Sequence, residues 1–453
     1  MSFHLGKPIL VMALIAVVSG AFVAYRPAPP AAQLVMWTFA EAHADTYKSI
    51  IAQFEAENHV KVDIQNISLR AETVRLESMF MSGQSGRILP DVVEMEIQNV
   101  GRFFRPPVDE IGFLPLNDYL KRDNWDKRIV PMRFATWSKQ NVIFGVPHDV
   151  HPVAIVYRQD LFQQAGIDLE KATTWSEFQE MCLKFQDYWR AQGKPTRHAI
   201  ELPLVAPDYV IVMLLQRGVN LVDQNNVIHM NDPIVAQTIA FYAQMVAGPR
   251  KVGWEGSTAS NKGLWAADLL EGNLCASVCA DWRVYDIELY APGLSGKMRA
   301  MPLPRFEPTD TPTSTWGGTM IGITRNSRQH ELAWKLIQFL YLSQTGHEAR
   351  LKKTNIIPPV MEWWDHPVYH ERKAFFGGQS LNELYVDLAR QVPPRYVSPA
   401  TTVAQTQLSV VIDRAVKYVN EHGNDGLEDD VKWWLNLATD DLKRRVDNGK
   451  FEE

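Results

Sequence analysis

Two acidic side chains are the first feature of this sequence that could carry chemistry. Glu94 and Glu96 stand two residues apart in a run that starts at Pro90 and reads as a strand. In a β-strand that spacing puts both carboxylates on the same face. Glycosidases act with two carboxylates, but the same pair equally suits hydrogen bonding to sugar hydroxyls. Both interpretations stay open at this point.

Other motifs that would identify an enzyme or a metal site are missing from the sequence. No Gly-x-Ser-x-Gly occurs, and Gly296-Lys297 lacks a phosphate-binding loop because Ala291 stands where its first glycine belongs. His366 and His370 are four residues apart, but Pro367 interrupts a regular helical face. No set of four zinc ligands has a recognisable spacing. We therefore expect no catalytic constellation, no metal site and no cofactor, with an enzyme lacking a recognisable motif as the alternative.

Alternating strand and helix patterns surround the two acids. The run LVMWT at Leu34–Thr38 predicts a buried strand, and further patterns predict helices over 45–58 and 72–81 and strands over 60–67 and 90–95. This alternation indicates a largely parallel sheet with helices on both faces. Ligands bind at the carboxyl ends of strands in such sheets. That rule selects residues 37–41 and 94–98.

The alternation continues along the rest of the chain. The apolar spacing predicts strands over 153–157 and 320–324, helices over 175–191, 210–216, 232–246 and 331–341, and a helix-dominated tail over 362–451. Thr174 and Glu177 have the spacing of a capping box at the start of the 175–191 helix. The 453 residues exceed what one hydrophobic core usually supports, so two packed lobes are expected.

The composition narrows the class of partner. Net charge is -6 with acids and bases mixed along the chain, and no basic stripe suits a phosphate backbone, so nucleic acid is not an expected partner. The 14 Trp and 14 Tyr provide flat rings that cover the apolar faces of sugars, although core packing also uses such rings.

The N-terminus has the pattern of an export signal. Lys7 precedes an uncharged stretch over 8–25, and small residues at 19–21 offer a cleavage site. The stretch is long enough that a retained membrane anchor is the alternative. No cysteine lies near its end, so a lipoprotein is not expected. In both cases the remaining chain is expected to lie outside the cytoplasmic membrane.

The three cysteines are Cys182, Cys275 and Cys279. The last two lie in a predicted strand, where their Cα atoms would be roughly 13 Å apart, beyond the limit of about 7 Å for a disulfide. Buried thiols are the favoured interpretation, and a turn in this segment would instead permit a bridge.

Four segments, in this order, resemble the extracellular solute-binding proteins of family 1, the maltose-binding-protein-like group. They comprise PDVV at 90–93 with GFLPLNDY at 112–119; FGVPHDV at 144–150 with YRQDLF at 157–162, AGI at 165–167 and TWSEF at 174–178; EGN at 271–273 through DW at 281–282; and WGG at 316–318 with ITRNS at 323–327 and AW at 333–334. Their order spans nearly all of residues 33–450.

The resemblance implies an α/β, two-lobed periplasmic-binding-protein fold of type II, with an interlobe ligand cleft and hinge crossovers. Residues 1–32 would form the signal or anchor and a linker, 33–148 with 303–343 lobe one, and 149–302 with 344–453 lobe two. The implied function is that of a monomeric, periplasmic or otherwise extracytoplasmic component of an ABC importer. It would bind a small oligosaccharide without altering it and deliver it to the ABC permease subunits.

Candidate ligand contacts follow from the strand-end rule and from positions that match the family. A sugar needs acids and amides for its hydroxyls and aromatic rings for its faces. Trp282 is the leading candidate, because the family commonly has a stacking Trp after a strand there. The full set is Trp37, Glu41, Glu94, Glu96, Gln98, Asp149, His151, Tyr209, Asp281, Trp282, Trp316, Gly317, Gly318, Arg395 and Tyr396.

Alternatives to an oligosaccharide stay open. Some maltose-type members have an aromatic residue where this sequence has Ala400 to Thr402, which puts a maltodextrin in doubt. Another polar solute, such as a polyol, a polyol phosphate or an amine, is the main alternative, and a cationic amine would suit acids and rings together. A secreted carbohydrate-active enzyme and a membrane-anchored signalling receptor are the others.

Overall fold

The computed structural model describes residues 32–82, 89–255, 262–351 and 354–448, together with Met12, Leu14 and Ile15. The predicted export signal otherwise lies outside the described residues. Within the described part of the chain, no helix combines the length and the hydrophobicity that crossing a membrane requires.

The chain alternates strands and helices, as its apolar periodicity predicts. The strands are Leu34–Thr38, Val62–Asn66, Val92–Glu96, Ser138–Lys139, Val142–Ile143, Val146–Pro147, Val153–Arg158, Ile200–Glu201, Gly253–Trp254, Ala276–Ala280, Met298–Pro302 and Thr319–Ile323. The α-helices are Glu41–Asn58, Leu69–Ser82, Ile97–Phe103, Asn117–Arg122, Pro131–Phe134, Gln159–Gln164, Trp175–Ala191, Pro207–Gln216, Pro233–Val246, Lys262–Glu271, Asp281–Tyr290, His330–Ile337, Gln344–Leu351, Leu381–Ala389, Thr401–His422 and Leu427–Asp447.

Two sheets divide these elements into two lobes. The first lobe is built on a five-stranded sheet in the order Val62–Asn66, Leu34–Thr38, Val92–Glu96, Thr319–Ile323, Val146–Pro147. The second lobe is built on Ala276–Ala280, Val153–Arg158 and Met298–Pro302. Val153–Arg158 is buried along its whole length, as expected for a central strand that is covered on both faces.

Strand direction differs from the largely parallel arrangement that the alternation predicts. Leu34–Thr38 runs parallel to both of its neighbours, but Thr319–Ile323 is antiparallel to its own. In the second lobe Val153–Arg158 is antiparallel to both strands beside it. A chain that crosses to the other lobe and back can re-enter the first sheet from either end. The alternation of strands and helices therefore does not determine whether neighbouring strands are parallel or antiparallel.

Local capping signals are reproduced closely. The helix Trp175–Ala191 begins where the sequence predicts, and Thr174 and Glu177 form the predicted capping box. The helix predicted over 331–341 is observed as His330–Ile337 followed by a π-helical turn over Gln338–Leu342.

Cys182, Cys275 and Cys279 are free and buried, which confirms the prediction of buried thiols.

The connections between the lobes lie at 148–152, near 315–318 and near Ile357. The predicted lobe boundaries stay a prediction, but two segments contact the lobe to which the sequence did not assign them. Leu303 lies in the core of the second lobe, and Thr313 Oγ1 accepts from the Val153 N–H at 3.0 Å. The helix Gln344–Leu351 packs on Glu41–Asn58 of the first lobe.

Candidate ligand-binding site

A buried histidine lies between two aspartates where the lobes join. His151 Nδ1 is 2.6 Å from Asp281 Oδ1, and its Nε2 is 3.1 Å from Asp149 Oδ2. His151 adopts φ +54°, a left-handed conformation that histidine tolerates better than most side chains. Asp149 and His151 belong to the first connection between the lobes, and Asp281 begins a helix of the second lobe.

Arg133 completes this group, which we call the hinge cluster: Arg133, Asp149, His151 and Asp281. The Arg133 guanidinium donates to Asp149 Oδ1 at 2.9 Å and to Thr315 Oγ1 at 3.0 Å. The Ile357 N–H donates to Asp281 Oδ2 at 2.7 Å. Among the described residues, the three connections between the lobes each contribute to the hinge cluster or are hydrogen-bonded to it.

The charges of the hinge cluster are matched in a buried setting. Burial alone would lower the pKa of His151, but Asp149 and Asp281 raise it to about 9. Burial would raise the pKa of Asp149, yet His151, His148 and Arg133 hold it well below its usual range. Two cations thus face two carboxylates, which leaves no net charge to attract an ionic ligand.

Aromatic rings adjoin the hinge cluster. Trp282 follows Asp281, and its indole N–H donates to the Trp316 carbonyl oxygen at 3.2 Å. The ring of Trp316 is 6.2 Å from that of Trp282 and 4.9 Å from that of Tyr209, both in edge-on arrangements. Trp282 and Trp316 are partly exposed, whereas Tyr209 is buried. The two tryptophans therefore have surface available to a ligand.

Two glycines allow this close packing. Gly317 adopts φ +91°, and a Cβ there would lie 3.3 Å from His151 Cδ2 and 3.5 Å from Trp282 Nε1. Gly318 adopts φ +151°, and a Cβ there would lie 2.7 Å from Arg133 Nη2. The positive φ favours glycine at both positions, and at Gly318 a Cβ would also be too close to the Arg133 guanidinium. The bare backbone predicted to admit a ligand is thus used, at least in part, by the protein's own side chains.

A buried ion pair behind the rings was not anticipated from the sequence. Arg283 Nη2 donates to Glu201 at 2.9 Å, and both side chains are almost fully buried. The Arg283 guanidinium lies 5.3 Å from the Trp316 ring and 4.7 Å from the Trp265 ring, whose N–H also donates to Glu201. This ion pair supports the Trp316 ring from its buried side. Arg283 and Glu201 are 82 residues apart in the chain, so no sequence pattern indicates that they pair.

Glu96 ends its strand and caps the helix that follows. Its side chain accepts from the Gln98 N–H at 2.8 Å, so Gln98 stands in the first helical turn and is exposed rather than extending the strand. Burial raises the pKa of Glu96 to about 7, although the Gln98 N–H and the charge of Arg395 oppose the shift. The negative charge of Asp208, in the second lobe, also raises the pKa of Glu96. Glu96 therefore faces groups from both lobes.

Glu94 lies in the same strand as Glu96, but its carboxylate is bonded within the first lobe. It is fully buried and accepts from the hydroxyls of Thr38, Tyr47 and Tyr341, while His43 Nδ1 is 3.1 Å from its Oε2. Burial would raise its pKa, but His43 and the other partners lower it to about 2. Its oxygens accept hydrogen bonds within the first lobe, which disfavours direct contact with a sugar between the lobes.

Four predicted residues lie apart from the aromatic group. Trp37 is buried in a core of the first lobe, and Glu41 is exposed at the start of the helix Glu41–Asn58. Arg395 is buried with its carbonyl accepting from Thr136 of the first lobe at 2.8 Å. The Tyr396 N–H donates to Asn220 of the second lobe at 2.9 Å. The segment carrying Arg395 and Tyr396 is thus hydrogen-bonded to both lobes.

A cavity opens beside this segment. Its volume is about 310 Å³. The twelve residues that line it are Pro131, Met132, Phe134, Ala135, Ser138, Gln140, Asn141, Ile143, Gln224, Asn225, Pro394 and Tyr396. Four of these side chains carry neutral amides, and none carries a charge. The lining is suited to neutral polar groups, and sequence patterns gave no signal for it because its members lie on separate loops.

Comparison with known proteins gives a consistent picture. The family model described as bacterial extracellular solute-binding protein matches residues 40–346. An arabinooligosaccharide-binding protein of Halalkalibacterium halodurans is 23% identical over 392 residues, covering 84% of each chain. The protein of the same name from Bacillus subtilis is 19% identical over 369 residues, covering 81% of this chain and 83% of its own.

The fold is also found among solved structures. The sugar-binding protein MalE of the phytopathogen Xanthomonas citri superimposes with a TM-score of 0.74 at 21% identity, covering 93% of this chain and 100% of its own. At that identity the likeness concerns the fold, and it confirms the predicted two-lobed α/β class.

Proposed function

The chain belongs to the bacterial extracellular solute-binding proteins, and from this premise we propose that it is the receptor of an ABC importer that binds a neutral oligosaccharide between its lobes. The observation that carries the proposal is the partly exposed pair Trp282 and Trp316, next to the hinge cluster at the junction of the lobes. Aromatic rings supply faces for sugar C–H patches, and polar neighbours supply partners for hydroxyls.

The charges support a neutral ligand over an amine or a phosphate. Asp149 and Asp281 are neutralised by His151 and Arg133, and Arg283 by Glu201. The raised pKa of Glu96, about 7, leaves it partly protonated at neutral pH, and it is poorly suited to hold a cation. The five buried charges of the hinge cluster and Arg283 are paired with one another and with Glu201, and a charged ligand would have to displace one of the partners at a large desolvation cost.

The relatives suggest the sugar class. Both curated relatives are named for binding arabinooligosaccharides, so short arabinose polymers are the first ligands we propose for this chain. On the basis of the family we also propose delivery to a permease and an extracytoplasmic location. Monomeric behaviour and an exported N-terminus stay parts of the proposal.

Binding without catalysis is the second part of the proposal. A glycosidase needs two carboxylates that reach opposite sides of one glycosidic bond. Glu96 has the raised pKa of a general acid, but Glu94 is fully buried and bonded within the first lobe. The pair that suggested hydrolysis in the sequence is thus split between two environments.

Isothermal titration against a panel of sugars tests the proposal. The panel contains arabino-oligosaccharides, maltodextrins, monosaccharides, a polyamine and a polyol phosphate. We expect one neutral oligosaccharide per chain to bind, and chromatography after prolonged incubation at stoichiometric protein to recover it intact. Binding of the polyamine or phosphate alone would contradict a sugar receptor. Cleavage products that disappear in Glu96→Gln would identify a glycosidase instead.

A further inference from the structure

A second polar group lies in the first lobe, and the sugar proposal does not use it. His43 belongs to the helix Glu41–Asn58, Glu94 to the strand Val92–Glu96, and His148 to the connection that leads to the second lobe. One ligand atom from each side chain lies within 4.8 Å of the other two. The rings of His43 and His148 are 4.3 Å apart between centroids.

We propose that His43, Glu94 and His148 form a binding site for a divalent transition-metal cation, for which Zn²⁺ is the best match. Imidazole and carboxylate are the ligands that zinc takes when three protein groups hold it and a fourth position stays open. Neither the family assignment nor the sugar proposal requires such a site.

His148 provides the independent sign of a missing partner. Its side chain is 1% exposed, and neither ring nitrogen has a hydrogen-bond partner. Its Nδ1 lies 3.4 Å from Asp149 Oδ2 without hydrogen-bond geometry. A buried polar group without a partner carries a free-energy cost. Metal-binding histidines commonly donate one ring N–H to a carboxylate while the other nitrogen binds the cation, and Asp149 is the carboxylate close enough to take that role for His148.

The carboxylate is held in a fixed orientation. Tyr47 and Tyr341 both donate to Glu94 Oε1, while Oε2 accepts from the Thr38 hydroxyl and lies 3.1 Å from His43 Nδ1, so a cation would share Oε2 with Thr38. Zinc–ligand distances near 2.1 Å place tetrahedral ligand atoms about 3.4 Å apart, so the His43–Glu94 edge already fits. The third ligand atom needs an inward movement on the order of 1 Å to reach that spacing.

The proposed metal site is reachable from solvent, and hydrogen bonds hold the backbone around it. The His43 side chain is 15% exposed, which gives a cation a path from solvent. Arg350 donates to the His148 carbonyl oxygen at 3.1 Å and to the Tyr341 carbonyl oxygen at 2.7 Å, which fixes the backbone on both sides of the group. A bound cation would tie a helix, a strand and an interlobe connection together beside the hinge cluster.

Metal titration of sugar-free protein tests this site separately from sugar binding. Protein purified without a polyhistidine tag is stripped with a chelator and titrated with Zn²⁺ against a competing chromophoric chelator. The visible absorption of the Co²⁺ form reports the coordination. We expect one cation per chain and a higher melting temperature with metal. His43→Gln and His148→Gln should each weaken binding at least as much as loss of an outer-shell partner does, roughly 10- to 100-fold.

His370→Gln is the matched control, because His370 is half-exposed on the surface and lies far along the chain, 3.6 Å from Glu383. It should leave the affinity unchanged. His43→Gln alters a partly exposed side chain, so it keeps the test valid if His148→Gln fails to fold. Unchanged affinity in folded His43→Gln, equal loss in the His370 control, or no stoichiometric binding would each overturn the site.

Discussion

Replacement of His151 by asparagine should remove a pH-dependent part of the free energy of unfolding. Asparagine tolerates the left-handed backbone at this position, where φ is +54°, but cannot carry the charge that faces Asp149 and Asp281. The folded state raises the pKa of His151 to about 9, against about 6.5 in an unfolded chain. The folded protein therefore retains a proton between these pH values that the unfolded chain has released.

The sign and size follow from proton linkage. A raised pKa contributes stability that is fully present below about pH 6.5 and is lost as pH rises through about 9. Each pKa unit corresponds to about 1.4 kcal/mol, so the raised pKa of His151 contributes about 3 kcal/mol to the free energy of unfolding at pH 6. The free energy of unfolding of the wild type should exceed that of His151→Asn by an amount that shrinks by about this much between pH 6 and pH 10.

Urea denaturation at a series of pH values measures the effect, with His370→Asn as the surface control. The difference between wild type and His151→Asn should narrow steadily above pH 6.5, and the control should follow the wild type. A constant difference across this range would mean that His151 is not charged in the folded state. The reasoning about the hinge cluster would then be refuted.

Three further predictions concern the site. Trp282→Ala should weaken sugar affinity by roughly 5- to 150-fold, the loss of about 1–3 kcal/mol expected for one stacking ring, while the exposed Trp433→Ala leaves it unchanged; calorimetry with a thermal melt distinguishes this from a structural role, in which stability falls and affinity does not. Sugar affinity should fall about tenfold from pH 8 to pH 6 as Glu96 takes up a proton near its pKa of about 7, and a pH profile that persists in Glu96→Gln would assign the effect to another group. Arg283→Met should cost about 3–5 kcal/mol by leaving Glu201 buried and unpaired, and chemical denaturation should show partial recovery in the double variant with Glu201→Gln; no recovery would mean that the ion pair is not what the substitution breaks.

Most helices and strands of the fold can be predicted from the sequence, because the residue patterns that define them are local. The helix Trp175–Ala191 begins at a capping box, and the strand Leu34–Thr38 is an apolar run, so each is determined by neighbouring residues. Strand direction and the contacts of segments 303–315 and 344–351 depend on long connections instead. Nothing in the local pattern of Leu303 indicates that it packs in the second lobe.

The candidate site was accessible only in part. Asp281, Trp282 and Trp316 are candidates because their positions match those of the family, and the structure brings them together. Arg283 and Glu201 were missed because buried ion pairs have no sequence period. The same-face prediction for Gln98 requires the strand to continue beyond Glu96, but the strand ends there and Gln98 lies in the helix that follows. Glu94 lies within the strand, and its carboxylate is occupied by partners 47 and 247 residues away along the chain, which no local pattern indicates.

A crystal structure with the tightest-binding arabino-oligosaccharide tests the central claim most directly. We predict an intact sugar between the two lobes, with ring faces against Trp282 and Trp316 and hydroxyls bonded to Glu96 and to the amides near Tyr396. A sugar bound outside the interlobe region, or cleaved within it, would contradict a receptor that captures its ligand at this junction unchanged.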